Sequence, residues 1–335
     1  MPQILRLIVT ILTASFIVIN NEQELIFPSL LNQFLIYMGN ASYPPNTVTN
    51  NIKEAESCLK FYLADTCKED ILIEKYYKKR PFGSIADIGC SYESDPSSNK
   101  TLLITGNSFV YYQIQGISEA IKKSKTKFSK IYVIGYTVCN LLAGSLNKFL
   151  AEFQCEMIEG SFDDFVAKVK INVIIYTAKI DHMPGFQYYL TRNVSALSED
   201  DGYNAALTSI MKRKSVADKF IIIQPSPALS GVGYQNPLSV ARLLFSNRNL
   251  STFDLPIQLY RKKIYPGWDR IKEAAKQCSN CILVETEKIF CNENFCPVID
   301  AETLLARYCD EGHITPTESL KLVPELVSAI DKNIL

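Results

Sequence analysis

Histidine is scarce in this chain. Of 335 residues, the imidazoles are His182 and His313 alone, so any chemistry that needs a histidine base must use one of them. The paired cysteine–histidine spacing of a zinc site is missing as well. Cys278 and Cys281 form one C-x-x-C, but no second pair answers it, and no metal and no cofactor are expected. An excess of charge of either sign is also lacking. The 35 basic and 35 acidic residues cancel, and no long like-charge run stands out, which removes the electrostatic footprint of a nucleic-acid partner. Tryptophan occurs once, at Trp268, and there is no internal repeat and no low-complexity tract. The 18 tyrosines and 17 phenylalanines are spread along the chain, which suits an aromatic core better than a stacking platform.

What is present suits a globular protein. The chain is 47% hydrophobic and 21% charged, within the range of folded domains. Its length allows one large domain or two ordinary ones. Ten cysteines, with no metal site to absorb them, read mostly as disulfide partners in an oxidising compartment. Asn-x-Ser/Thr sequons at Asn99, Asn193 and Asn249 are compatible with a glycoprotein. Cys278 and Cys281 straddle a helix end and a strand start and are given no redox role.

Ile4 to Ile19 is an almost unbroken apolar run with Arg6 near its start. It is shorter than the roughly 20 residues a spanning helix prefers, and its exit lacks a small-x-small cleavage site. A short membrane anchor, an uncleaved signal and a buried helix all fit, with the anchor preferred. A second apolar patch, Leu30 to Met38, runs into Pro44-Pro45, which stops any helix. Residues 44–89 read as a linker with short helices around Glu54–Leu63 and Lys68–Lys78, carrying a solvated basic cluster at Lys75 to Arg80.

From Thr101 the texture changes. Strand-like runs at Thr101–Thr105, Lys130–Gly135, Val173–Ala178, Phe220–Gln224 and Cys281–Glu285 alternate with helical periodicity. The helices are expected at Val110–Ser124, Leu141–Phe153, Phe162–Val169, Gly202–Lys214, Pro237–Phe245, Trp268–Cys278 and Pro316–Asp331. This pattern predicts a three-layer α/β/α sandwich around a parallel sheet of about five strands. Such a sheet places ligands at the C-terminal ends of its strands.

Leu102 to Val110 reads as a strand, a tight turn at Gly106-Asn107-Ser108 and the start of a helix. A serine there is either a helix cap or a nucleophile held above the sheet edge. Near the other end, Asp310-Glu311-Gly312-His313 puts an aspartate and a histidine three apart on a short loop. A carboxylate can hold one ring nitrogen and leave the other free to take a proton. Thr315-Pro316 then starts the last helix as cap and first residue. His182, after the third strand, is the competing histidine, with a loop residue of no catalytic role as its plainer reading.

Gly106-Asn107-Ser108 after an opening strand, together with Asp310-x-x-His313 before the last helix, resembles the SGNH (GDSL-like) hydrolase superfamily. The stretch from Phe290 to Thr315, with a short Cys291-to-Cys296 loop, a strand and then Asp-x-x-His, looks like the SGNH domain fused to acyltransferase-3 membrane proteins. Phe34 to Tyr43 looks like a signature near the final helices of the acyltransferase-3 domain. Residues 1–43 are therefore expected to be an acyltransferase-3 remnant or signal anchor, and residues 90–335 the SGNH-like domain of SGNH/flavodoxin-like fold.

The resemblance implies Ser108 as nucleophile, His313 as general base and Asp310 as its orienter. It implies the Ser108 backbone N–H as one oxyanion donor. Gly135 is a weaker match for the second donor, and Asn107, which replaces the usual aspartate of the turn, is a weak oxyanion candidate. The asparagine that the family carries after its third strand has no counterpart in Tyr176-Thr177-Ala178-Lys179. A Cys291–Cys296 disulfide is expected, with two buried free thiols as the alternative. The implied activity is a serine esterase or O-acyltransferase, with an acyl donor and a hydroxyl-bearing acceptor as partners, and a carbohydrate hydroxyl or its ester as the candidate substrate. The alternative is a catalytically weak binding module of the same fold. The implied location is a membrane, through residues 1–43, with residues 44–335 luminal or extracellular, or else a secreted protein.

Overall fold

The computed structural model describes residues 45–76, 87–188, 194–227, 235–246, 248, 250 and 253–333. Residues 1–43, with the expected membrane segment, lie outside them, as do Asn193 and Asn249. Among the described residues no helix is long and apolar enough to cross a membrane.

The strands are β1 (Ile88–Glu93), β2 (Thr101–Gly106), β3 (Lys130–Gly135), β4 (Ile171–Thr177), β5 (Ala217–Ile223), β6 (Leu255–Pro256), β7 (Cys281–Val284) and β8 (Phe295–Cys296). The helices are α1 (Pro45–Cys58), α2 (Ile71–Tyr76), α3 (Phe109–Lys123), α4 (Cys155–Lys168), α5 (Asp201–Lys214), α6 (Pro237–Phe245), α7 (Ile257–Ala275), α8 (Glu287–Phe290), α9 (Pro316–Ser319) and α10 (Val323–Asp331). The main sheet runs β1-β3-β2-β4-β5-β7, and β6 pairs with β8 in a separate two-stranded piece. All pairings in the main sheet are parallel except β1 with β3.

The five parallel strands were legible as apolar runs, because strands covered on both faces are hydrophobic throughout. Leu102, Leu103 and Ile104 of β2 are all 0% exposed. Numbered along the chain, the parallel strands stand in the order 2-1-3-4-5, a doubly wound arrangement whose switch point falls between β2 and β4. α3 packs on β2 and β3 and is covered by α9 and α10, while α5 packs on β5 and against α7.

The antiparallel edge strand β1 is an addition to the expected sheet. Its polar Ser91 is buried, and the Ser91 hydroxyl donates to Asp70 Oδ2 at 2.7 Å. Lys130 Nζ reaches the same carboxylate oxygen at 2.7 Å. The stretch expected as a linker is stitched to the sheet and its loops. Cys67–Cys90 ties it to β1, and Cys58–Cys309 ties α1 to a loop 251 residues away. With Cys139–Cys155, Cys278–Cys281 and Cys291–Cys296, all ten cysteines are paired. Asn99 is exposed just before β2.

Candidate active site

β2 ends on a glycine, Gly106, and nothing larger fits at that position. A Cβ on Gly106 would lie 1.7 Å from the Thr177 carbonyl oxygen, and the residue sits at φ +151°. Asn107 then locks the turn to the loop after β4. Its Oδ1 accepts from the Lys179 N–H at 3.1 Å, and its Nδ2 donates to the Lys179 carbonyl at 3.0 Å. The same Oδ1 accepts from Phe109 N–H at 3.3 Å, and the Asn107 carbonyl accepts from Val110 N–H at 2.9 Å. Asn107 therefore takes up two of the orphan amides that open α3, those of Phe109 and Val110.

That leaves Ser108 without a capping task. Its backbone is already helical, at φ −52° and ψ −21°, and its side chain makes no cap hydrogen bond. The hydroxyl instead lies 2.7 Å from His313 Nε2, a residue 205 positions away. Of the two readings open to a serine at this turn, the capping one is not realised.

His313 stands on the tip of a small hairpin. Tyr308 and Ile314 form an antiparallel bridge, and Cys309 N–H donates to the His313 carbonyl at 2.8 Å. Asp310 closes the tip, its Oδ1 accepting from Gly312 N–H at 2.8 Å and His313 N–H at 3.0 Å. The same carboxylate meets His313 Nδ1 at 2.8 Å through Oδ1 and 2.7 Å through Oδ2. With the proton on Nδ1, the Nε2 lone pair faces the Ser108 hydroxyl. Burial pushes the Asp310 carboxyl up, but the His313 ring and the two tip amides together outweigh it and hold the group below its ordinary range. Thr315 caps α9 as its sequence position suggests, its Oγ1 accepting from Glu318 N–H at 3.1 Å.

Two residues of α3 support the imidazole from the serine side. Tyr112 stacks on the His313 ring, with centroids 4.1 Å apart and planes 21° apart, and Phe109 meets it edge-on at 5.4 Å. Sequence reasoning missed both. The available signal was spacing, since Tyr112 lies one helical turn beyond Ser108 and so on its face.

Gly135 ends β3 in direct register with Gly106, and Tyr136 N–H donates to the Gly106 carbonyl at 3.0 Å. After β4, where the resemblance would put an asparagine, Lys179 carries its ammonium to 4.0 Å from Asp181 Oδ1 and close to Gly312 on the Asp310–His313 tip. His182 joins the loops after β4 and β3, its Nε2 lying 2.9 Å from the Val138 carbonyl. Burial lowers its basicity. Val138 is held at φ +74°, unusual for a β-branched residue. Cys291 and Cys296 are disulfide-bonded rather than free.

Serine hydroxyl, imidazole and carboxylate in one hydrogen-bonded line are the parts of a nucleophile, its base and the group that orients the base. The family model described as SGNH domain (fused to AT3 domains) matches residues 74–328. A comparison with curated proteins found no match. Among solved structures, the periplasmic domain of a lipopolysaccharide acetyltransferase from Salmonella ser. Paratyphi A is 16% identical. That alignment covers 85% of this chain and 97% of the other at a TM-score of 0.52, a likeness of fold. An acetylxylan esterase from Geobacillus stearothermophilus is 12% identical over 71% of this chain and 97% of its own, with a TM-score of 0.37.

Proposed function

The chain belongs to the family of SGNH domains that are fused to AT3 domains, and from that premise we propose a serine esterase or O-acyltransferase that carries its acyl group on Ser108. The observation that carries the reading is the unbroken line from the Ser108 hydroxyl through His313 to Asp310.

In the first step Ser108 Oγ attacks the acyl carbonyl and its proton passes to His313 Nε2. Nδ1–H stays on Asp310, whose carboxylate balances the imidazolium. The oxyanion collects on the Ser108 N–H, at the positive end of α3. Collapse breaks the bond to the leaving oxygen, which takes the proton from Nε2 and departs, leaving an ester on Ser108. In the second step water or an acceptor hydroxyl gives its proton to Nε2 and attacks that ester. Ser108 leaves with the proton restored. Water yields a carboxylic acid, and an acceptor hydroxyl yields a new ester.

The acceptor class we favour is a carbohydrate hydroxyl, in keeping with the lipopolysaccharide acetyltransferase whose fold the domain shares. Disulfide pairing of every cysteine supports a luminal or extracellular site of action, and attachment to a membrane through residues 1–43 is part of the same proposal.

A serine-reactive fluorophosphonate probe tests the reading on the purified chain. The expected result is labelling of wild type, none of Ser108→Ala, and a fall of at least about three orders of magnitude in labelling rate for His313→Ala. Absence of wild-type labelling would favour the second reading, a binding module. What favours that reading is the loop after β4, where Lys179 replaces an amide donor and the Asn107 side chain is engaged with the Lys179 backbone.

A further inference from the structure

The Asp310–His313 tip is gripped from the far end of the chain. Asn51, Glu54 and Cys58 lie three and four residues apart on α1 and so form one stripe of that helix. All three are buried, at 0%, 6% and 7% exposure. Each holds a different part of the segment that carries the tip. Asn51 Nδ2 donates to the Leu304 carbonyl at 2.8 Å, and its Oδ1 accepts from Ala306 N–H at 2.8 Å, on the entry to the hairpin. Glu54 accepts from Thr317 N–H at 3.1 Å and from the Thr317 hydroxyl at 2.6 Å, just past the exit. Cys58 is bonded to Cys309, the residue before Asp310.

We infer that α1 is a positioning element for the acid–base pair, with Cys58, Glu54 and Asn51 as its positioning residues. The inference rests on the reading of His313 as the base of Ser108. Ser108 belongs to the sheet edge and α3, whereas His313 belongs to a hairpin in the last quarter of the chain. Their 2.7 Å approach therefore depends on where the hairpin is docked. Catalytic geometry is steep in distance, and a displacement of about 1 Å costs about 100-fold in rate. Two buried polar side chains on one face of a helix would be a liability without partners. Here their partners are the two ends of the catalytic hairpin.

The test uses the full chain, purified with its disulfides intact, as wild type, Cys58→Ser/Cys309→Ser, Glu54→Ala and Glu54→Gln. Two quantities are read. One is the rate and end-point stoichiometry of fluorophosphonate labelling. The other is the downfield proton resonance of the His313 Nδ1–H held on Asp310, assignable because only His182 competes. Circular dichroism and the melting transition report folding. The expected result is that Cys58→Ser/Cys309→Ser and Glu54→Ala label about 10–100-fold more slowly, to full stoichiometry. The His313 resonance should broaden or vanish while circular dichroism at the assay temperature stays that of wild type. Glu54→Gln, which keeps an acceptor for Thr317, should recover much of the rate. Should the double variant not fold, Glu54→Ala and Glu54→Gln decide. A folded Glu54→Ala with wild-type rate and wild-type resonance overturns the inference, as does slowing that matches only its unfolded fraction. If wild type itself is not labelled but shows the His313 resonance, the acyl-enzyme reading fails. The resonance of Glu54→Ala then decides the positioning role alone.

Discussion

Gly106 is fixed by the backbone of a neighbouring strand as well as by its own conformation. The Thr177 carbonyl would lie 1.7 Å from any Cβ placed there, and both partners are held in the parallel register of β2 and β4. Gly106→Ala should destabilise the protein by more than about 4 kcal/mol, measured by denaturant unfolding. Tyr112 makes a subtler demand. Its ring lies against His313 and contributes orientation rather than chemistry. Tyr112→Ala should lower turnover of a small ester such as 4-nitrophenyl acetate by roughly 10-fold. At this scale Ser108, Asp310 and His313 stood out in the sequence as candidates, because histidine is rare in the chain, and the fold brings the three side chains together. Tyr112 and Phe109 were not singled out, because aromatic residues in an amphipathic helix look like core. Asn107 was expected as a weak oxyanion group. In the fold its amide clamps the Lys179 backbone, a contact between loops 72 residues apart.

The elements divide by how their hydrophobicity is patterned. The parallel strands stood out because both of their faces are covered. α6 was read with its observed bounds, since Asn236 accepts from Ser239 N–H as a cap and Pro237 opens the first turn. The sequence places the start of α7 at Trp268, just after Pro266-Gly267. In the fold the helix starts at Ile257 and runs through Pro266, and Trp268 is a buried interior residue at 1% exposure. β1 escaped notice because Gly89 and Ser91 interrupt its apolar run, and Asp70 supplies the partner that makes a buried Ser91 acceptable. The contact of α3 with α9 is set by Gly116, whose Cβ would lie 2.0 Å from the Ser319 carbonyl oxygen. Gly116→Ala should push α9 off α3 and destabilise the fold by about 1–3 kcal/mol. Unfolding midpoints in urea would show it.

At the scale of the described fold, disulfides and ion pairs tie α1, the segment before β1 and the C-terminal helices together and to the sheet. The Cys58–Cys309 bridge closes a loop of 251 residues, and in the chain-entropy account a loop of that size is worth roughly 5 kcal/mol. Reduction under native conditions should therefore lower the melting temperature more than any surface substitution. Asp300 anchors the same C-terminal region, through Lys321 at 2.8 Å and Thr303 N–H at 3.0 Å. Burial pushes its carboxyl up, but these partners outweigh it and hold the group well below its ordinary range. A carboxyl depressed in the folded state stabilises above its unfolded value of about 3.9, and the contribution disappears as pH falls through the folded value. Asp300→Asn should thus cost about 1–2 kcal/mol at pH 6. The gap in melting temperature between it and wild type should narrow steadily from about pH 5 to pH 2. A gap that stays constant over that range would contradict the assignment.

The sequence by itself determined the class of the fold and singled out the candidate acid–base set. Apolar runs of strand length must be buried on both faces, and a chain with two histidines leaves few candidates for a base. The tertiary structure alone decided how those groups meet. Ser108 and His313 approach because β2 sits at the switch point of the sheet, and because α1 holds the hairpin that carries Asp310 and His313. Contacts of that kind join residues hundreds of positions apart through backbone carbonyls, caps and a disulfide, which leave no periodic trace in the order of side chains.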